Sequence, residues 1–394
     1  MSGPPESVVF VSPGVMGGVI SIIANLLAYR EPDAFTYHVV LTDEARSADA
    51  RFTGRLPADT QRVVRVSLGI ENIHALIRRV RRALPPGGGV LVTNDLVELA
   101  TVSALDVNRT VMMLIHGDDP YYYDLAVRHE DVIDVFICYG QVMFDTLRQR
   151  LPGRHGSIVH LPYGIPLPAR TRTAARGPLR LLYAGRLDHG HKGVLDLPAI
   201  DAALSATGTP VSWTIVGGGP DDAELRARWN GAAHVRWLGV MANAEVIEEA
   251  ARHDVFVLPT RTEGVPVAMI EAMGAGLVPV VSDIPSGVRE LVDPGVHGIT
   301  PPVGDIAAFA DAIRALHSDR DRLETMSAAA RERVVARYNV RERVRAYQQL
   351  FARHHELRRP RPPRTRLRYG SRLDRPWIPN AAVKAIRSLA RRAR

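Results

Sequence analysis

Cysteine is nearly absent: the 394 residues hold one, Cys138. A lone thiol excludes a disulfide within the chain and fits a reducing compartment, and in DVFICYG it reads as a small buried core residue. Long apolar spans are missing too. Val8 to Tyr29 carries no charge and has the length of a membrane span. Pro13, Gly14, Gly17 and Gly18 divide it into a strand, SVVFVSPG, and a helix, VISIIANLLAYR, each too short to cross a bilayer, and no basic segment precedes it. There is no P-loop, no zinc-ligand spacing, no nucleophile elbow and no EF-hand loop, which removes four large classes of chemistry.

Acidic charge is scarce at one end only. Residues 358–394 hold thirteen Arg or Lys against one acid, Asp374, a net of +12; the whole chain is +8, so the remainder is −4. The basic character therefore belongs to a tail. Beyond Leu357 the sequence PRPPRTRLRYGSRLDRPWIP is too rich in Pro and Arg for a core, and an extended or disordered segment is expected. Within it, residues 377–394 can form a helix capped by Asn380, with Val383, Ile386, Ala390 and Ala393 on one side and Lys384, Arg387, Arg391 and Arg394 on another. Such a tail with Trp377 could meet an anionic membrane surface. It lacks the aromatic platform of a nucleic-acid binder, so no specific nucleic-acid partner is expected.

What is present is enough apolar residue, 46%, to fill two cores, and 394 residues exceed the usual single-core size. Apolar runs alternate with helical patterns in residues 1–165: VVFVSPG, HVVLTD, GVLVTN, VMMLIHG, DVFICYG and IVHLPYG. After a Pro- and Arg-rich connector at 166–178 the alternation restarts over 179–340 with LRLLYAGRL, VSWTIVGGG, HVRWLGV, DVFVLPT and LVPVVSD. The pattern predicts an α/β protein of two Rossmann-like doubly wound domains facing across a cleft. Helices are predicted over 305–317 and 320–357.

The most informative segment is TRTEGVPVAMIEAMGAG. Glu263 follows an apolar strand and Glu271 sits on the ensuing helix, a little over two turns further along, in the apolar run MIEAMGAGLVPVV. A carboxyl in such surroundings needs a partner. The helix start offers unpaired N–H groups and a positive dipole end for a diphosphate; Pro266 has no N–H, leaving Val267 and Ala268 as donors beside Gly264.

Strand, EGxP turn, helix with a second Glu, then AxxAGxxPVV resembles the signature of GT4-type retaining glycosyltransferases, the glycosyl transferases group 1, over residues 7–357. The resemblance implies the GT-B architecture, with 341–357 returning to the first domain. It implies a hexosyl-type transferase that uses a nucleoside-diphosphate sugar and needs no metal cofactor. Arg186 and Lys192 in YAGRLDHGHKG match the family's diphosphate-binding pair, which stabilises charge growing on the leaving group. His116 in VMMLIHGDD matches a histidine that contacts the donor sugar, Glu263 would reach that sugar, and Glu271 the ribose. Val240 and Met241 would lie by the base. Gly17, Gly18 and Gly218 would let backbone approach the donor, although ordinary tight βα turns explain them nearly as well. Asp118 and Tyr121 to Tyr123 are acceptor-side candidates. There is no Asp-x-Asp triplet of the kind metal-dependent sugar transferases use to hold a manganese diphosphate.

Two other readings remain open. A sugar-nucleotide 2-epimerase shares the architecture, but the TEGVPVAMIE helix argues against it; a non-catalytic sugar-nucleotide-binding protein is disfavoured by intact Arg186, Lys192, Glu263 and Glu271. The expected setting is cytoplasmic, peripheral on the inner membrane face, with a glycan, glycolipid or small-molecule hydroxyl as acceptor.

Overall fold

A computed structural model describes residues 6–15, 17–44, 51–104, 108–361 and 370–392. The chain forms two compact units: residues 1–139, 144–161 and 344–394, and residues 140–143 and 162–343.

The first unit is built on seven strands, β1 (Ser7–Pro13), β2 (Thr36–Glu44), β3 (Thr60–Val66), β4 (Gly89–Thr93), β5 (Thr110–Ile115), β6 (Val135–Cys138) and β7 (Ile158–His160), ordered β3-β2-β1-β4-β5-β6-β7. Every pairing is parallel. β1, β4, β5 and β6 are buried throughout apart from Pro13, as continuous apolar runs covered on both faces require. Cys138 is buried in β6, and burial pushes its thiol up to about 12, so it is an inert core residue. Helices α1 (Gly18–Ala28), α2 (Ile73–Ala83), α3 (Leu96–Ala104), α4 (Pro120–Arg128) and α5 (Gln141–Arg150) connect the strands.

The second unit repeats the design with β8 (Leu179–Ala184), β9 (Val211–Val216), β10 (Val235–Gly239), β11 (Val255–Leu258) and β12 (Val278–Val281), all parallel, in the order β10-β9-β8-β11-β12. Its helices are α6 (His189–Lys192), α7 (Leu197–Ala206), α8 (Asp222–Trp229), α9 (Asn243–Ala250), α10 (Val267–Gly274), α11 (Gly287–Leu291), α12 (Ile306–Ser318) and α13 (Arg320–Tyr338). Asp201 fixes one side of the core by accepting from the indole N–H groups of Trp213 and Trp229, each at 2.9 Å. Arg172, in the 166–178 connector, is buried against Asp254 at 3.0 Å, and Arg180 shares the same carboxylate.

The single helix expected over 320–357 is broken into α13, α14 (Val340–Ala352) and α15 (His354–Leu357). Asn339 causes the first break, because its side chain accepts the Arg341 N–H at 3.1 Å and starts a new helix. The later part of α14 belongs to the first unit, where the Tyr347 hydroxyl donates to the Leu161 carbonyl at 2.9 Å.

The tail departs further from expectation. Residues 370–379, expected to be extended, are docked on the first unit together with the helix expected over 377–394, which forms as α16 (Asn380–Arg392). Residues 362–369, 393 and 394 lie outside the described residues. Among the described residues no helix is long and apolar enough to cross a membrane.

Candidate functional site

In each sheet the strand order reverses once, between β1 and β4 and between β8 and β11, and loops at the carboxyl ends of such strands are where doubly wound sheets bind ligands. In the second unit nearly all the donor-side candidates fall on those loops. After β8 the chain passes Arg186, turns through α6 and ends it at Gly193 in the left-handed region, φ 64°. A β-carbon on Gly193 would stand 1.9 Å from the Pro259 carbonyl oxygen, so only glycine lets this loop meet the one after β11. The His191 carbonyl accepts from the Arg261 N–H and from the Thr260 hydroxyl, both at 2.8 Å.

That seam brings the ammonium of Lys192 onto the Glu263 carboxylate, which also lies 3.1 Å from the Thr260 hydroxyl oxygen. The Glu263 side chain is 8% exposed and that of Lys192 26%, a partly desolvated pair at the edge of the site. Arg186 leans on Asp188, 2.5 Å away, with its side chain largely exposed. Burial works to raise the Asp188 carboxyl, but the His191 N–H and the Arg186 charge outweigh it and hold the group below its ordinary range.

The glycines after β9 are packed backbone to backbone with the Arg186 loop. The Leu187 N–H donates to the Gly218 carbonyl at 3.0 Å, and a β-carbon on Gly217 would stand 1.8 Å from the Gly185 oxygen. Gly218 also faces Val240, which is exposed in the loop after β10, with Met241 next to it. Glu271 is buried on α10, and its Oε1 accepts from the Asn243 side-chain amide at 2.7 Å. Burial pushes its carboxyl up to about 7, with the Asn243 bond opposing. At the start of α10, Pro266 occupies the cap position and no side chain caps the helix, leaving the Val267 and Ala268 amides without a side-chain acceptor. Gly264 precedes them, its carbonyl accepting from the Gly287 N–H at 2.8 Å.

In the first unit, Gly17 caps α1 and Gly18 begins it; among the described residues, chain neighbours aside, none has a heavy atom within 4 Å of where a Gly17 side chain would start. His116 follows β5, its Nε2 3.0 Å from the Tyr122 hydroxyl and the two rings 4.4 Å apart. Burial lowers the imidazole to about 4, so it is neutral at physiological pH. The three tyrosines go separate ways: Tyr121 donates to Asp95, Tyr122 meets His116, and Tyr123 donates to Asp118 at 2.5 Å. Tyr123 is buried, which removes it as a sugar-stacking residue, whereas Tyr121 is 44% exposed.

Sequence reasoning missed Asn243, Asp188, Asp95 and Glu98. Asn243 opens the helix after β10, a position that could have signalled it; Glu98, buried and pushed up to about 8 by burial with the Asp95 charge adding to it, gave no sequence signal. One Asp-x-Asp spacing does exist, Asp319 to Asp321, but Asp319 caps α13 by accepting the Arg322 N–H at 2.9 Å and stands at no strand end. Among the described residues one trio, Glu6, His354 and His355, has metal-ligating atoms within mutual reach. It stands before β1, at the opposite end of the sheet from the carboxyl-end loops.

Residues 178–319 match the family model described as Glycosyl transferases group 1. The amylovoran biosynthesis glycosyltransferase AmsK of Erwinia amylovora is 34% identical over 181 residues, 43% of this chain and 44% of that protein. A GDP-mannose-dependent alpha-(1-6)-phosphatidylinositol monomannoside mannosyltransferase of Mycobacterium tuberculosis is 38% identical over 134 residues, 32% of this chain and 34% of that protein. The matches thus span less than half of these relatives. Among solved structures, Anabaena HepE with UDP and glucose superimposes with a TM-score of 0.69 at 16% identity, covering 88% of this chain and 99% of that one. Sucrose-phosphate synthase from Thermosynechococcus elongatus gives 0.68 at 18% identity over the same shares. Residues 178–319 are thus similar in sequence to the glycosyl transferases group 1, and the chain as a whole shares the GT-B architecture of these solved structures.

Proposed function

We propose that this protein is a retaining, metal-independent glycosyltransferase of the GT4 type, moving a sugar from a nucleoside-diphosphate donor to an acceptor hydroxyl. The observation that carries the reading is the seam at the β8/β11 reversal, where Lys192 meets Glu263 beside an uncapped helix start. Two cations, Arg186 and Lys192, and the Val267 and Ala268 amides supply the positive field that a departing diphosphate needs. Glu271, next to Asn243, takes the ribose hydroxyls, and Glu263 a hydroxyl of the sugar. In the step itself the bond from the anomeric carbon to the phosphate oxygen breaks. The acceptor oxygen bonds to the same face, and the acceptor proton passes to a donor phosphate oxygen. The protein then contributes positioning and charge. A neutral His116 suits orienting a hydroxyl and makes a poor base.

A cationic diphosphate site performs the work that a divalent metal does in other transferases. The acceptor is a glycan, glycolipid or small-molecule hydroxyl, and the +12 charge of residues 358–394 favours a cytoplasmic enzyme working at the inner face of an anionic membrane. Incubation with a panel of UDP-, GDP- and dTDP-sugars should raise the melting temperature for one base class. Turnover of that donor should survive excess EDTA and give an α-linked product from an α-configured donor by proton NMR. Chelator-sensitive transfer or an inverted anomeric centre would contradict the proposal.

A further inference from the structure

The one acid of the tail decides how the tail sits. Asp374 is buried and accepts from the Ser371 N–H at 2.7 Å, the Ile73 N–H at 3.0 Å and Arg387 at 2.5 Å. Arg387 also donates to the Glu71 carbonyl at 2.6 Å. The Asn72 side-chain amide donates to the Arg375 and Ile378 carbonyls, both at 2.9 Å, while its backbone N–H donates to the Asn380 side chain at 2.8 Å. Asn380 is therefore engaged with α2 as it opens α16. These bonds tie the tail to the start of α2 and fix the roll of α16 about its axis.

Val383 of the apolar side turns inward as the sequence pattern suggests, but Arg387 of the basic side turns inward with it, so the helix is rolled away from the expected orientation. Val383 and Arg387, one turn apart, point inward, with Val383 fully buried and the Arg387 side chain 17% exposed. Ile386 lies about 60° and Leu389 about 120° round the helix from Val383, on the side away from Arg387. They are 48% and 66% exposed, with Ala382 and Ala385 exposed on the same side and Trp377 75% exposed just before the helix. A helix docked on a water-soluble unit ordinarily buries such a face and exposes its charges. Arg372 and Arg375 are exposed in the segment before the helix, and Lys384 and Arg391 are exposed on the helix flank away from Ile386 and Leu389. The Arg391 guanidinium is close to Gly69. Beside α2, along edge strand β3, a cavity of about 520 Å³ is lined by Arg62, Arg65, Arg79 and Arg82, and Arg79 pairs with Glu71, whose carbonyl anchors Arg387.

We propose that Trp377, Ile386 and Leu389 enter the headgroup layer of an anionic bilayer, with Arg372 and Arg375 before the helix and Lys384 on its flank reaching lipid phosphates. This deepens the membrane-side reading above and rests on it. The charge chooses the occupant. A second copy of the chain would bring two strongly basic tails together, whereas an anionic surface neutralises them while accepting an aromatic and two aliphatic side chains at its interface.

The test is sedimentation of the full-length protein with phosphatidylglycerol-containing vesicles and with pure phosphatidylcholine vesicles at physiological salt, without donor. Wild type should pellet with the anionic vesicles only. The double variant Ile386→Ser, Leu389→Ser should bind at least about tenfold more weakly at unchanged melting temperature, because neither side chain completes a core. Donor turnover on a soluble acceptor should be unaffected, so loss of turnover and loss of membrane binding are read separately. Arg387→Ala, which frees the helix from Asp374, should also weaken binding. Failure of wild type to pellet, or equal binding by the double variant, would overturn the proposal. So would vesicle-independent dimerisation abolished by the same double change, which would assign the face to a second copy.

Discussion

Asn243 donates from its side-chain amide to Oε1 of Glu271 at 2.7 Å, joining the helix after β10 to the helix after β11. Glu271 would otherwise be a buried acid in an apolar run, and this bond is the partner that such an acid requires. The remaining carboxylate capacity is available to a ligand, and the group's proton affinity becomes a reporter of that ligand.

Donor binding should release a proton near neutral pH. Burial raises Glu271 from 4.5 to about 7 in the free protein, and ribose hydroxyls donating to the carboxylate favour its ionised form. Affinity should therefore rise as pH increases from about 6 to about 8, by up to about tenfold. Glu271→Gln should bind weakly with a flat profile. Calorimetric titration in two buffers of different ionisation enthalpy checks this, and a pH-independent wild type would contradict it.

Replacing Lys192 by Ala should lower kcat on the order of 10²- to 10³-fold, the loss of one preorganised group facing a developing charge. The fold should persist by circular dichroism. Some destabilisation is expected because Glu263, with its side chain 8% exposed, loses its cation. Near-wild-type turnover in this variant would remove the seam from the mechanism.

Gly193→Ala tests the seam without touching a charge. The residue sits at φ 64°, and its β-carbon would press on the Pro259 oxygen. A cost of at least about 1–3 kcal/mol is expected in denaturant unfolding, with donor affinity falling as Lys192 is displaced. Unchanged stability and affinity would show that the two loops are not held together here.

Glu98 gives a stability signature in the first unit. Its folded-state value near 8 lies above the unfolded 4.5, so the folded chain binds the extra proton in between. The stability this proton confers is present at low pH and is lost as pH rises from about 4.5 to about 8. Glu98→Gln should match wild type at about pH 4.5 and below and become progressively the more stable protein as pH rises to about 8, with no further gain above it, because Gln can still accept the Asp95 N–H that Glu98 holds at 2.8 Å. Parallel melting curves across that range provide the measurement.

The sequence by itself determined the two-sheet architecture, because β1, β4, β5, β6 and β11 are unbroken apolar runs that only a doubly covered parallel sheet accommodates. It also determined that Glu263 lies in a loop and Glu271 on a helix, since Pro266 marks the helix start between them. Which residues meet was decided by tertiary structure. Lys192 and Glu263 are separated by 71 positions and meet only because Gly193 lets two loops touch. Asn243 reaches Glu271 only once α9 and α10 pack together. The tail shows the division most sharply. Its periodicity announced an amphipathic helix, but which face turns inward depended on Asp374, whose buried carboxylate draws Arg387 beneath the helix and leaves Ile386 and Leu389 outside. A buried charge outweighed the apolar pattern, because leaving that carboxylate without a cation, held by the Ser371 and Ile73 N–H groups alone, costs more than exposing two aliphatic side chains.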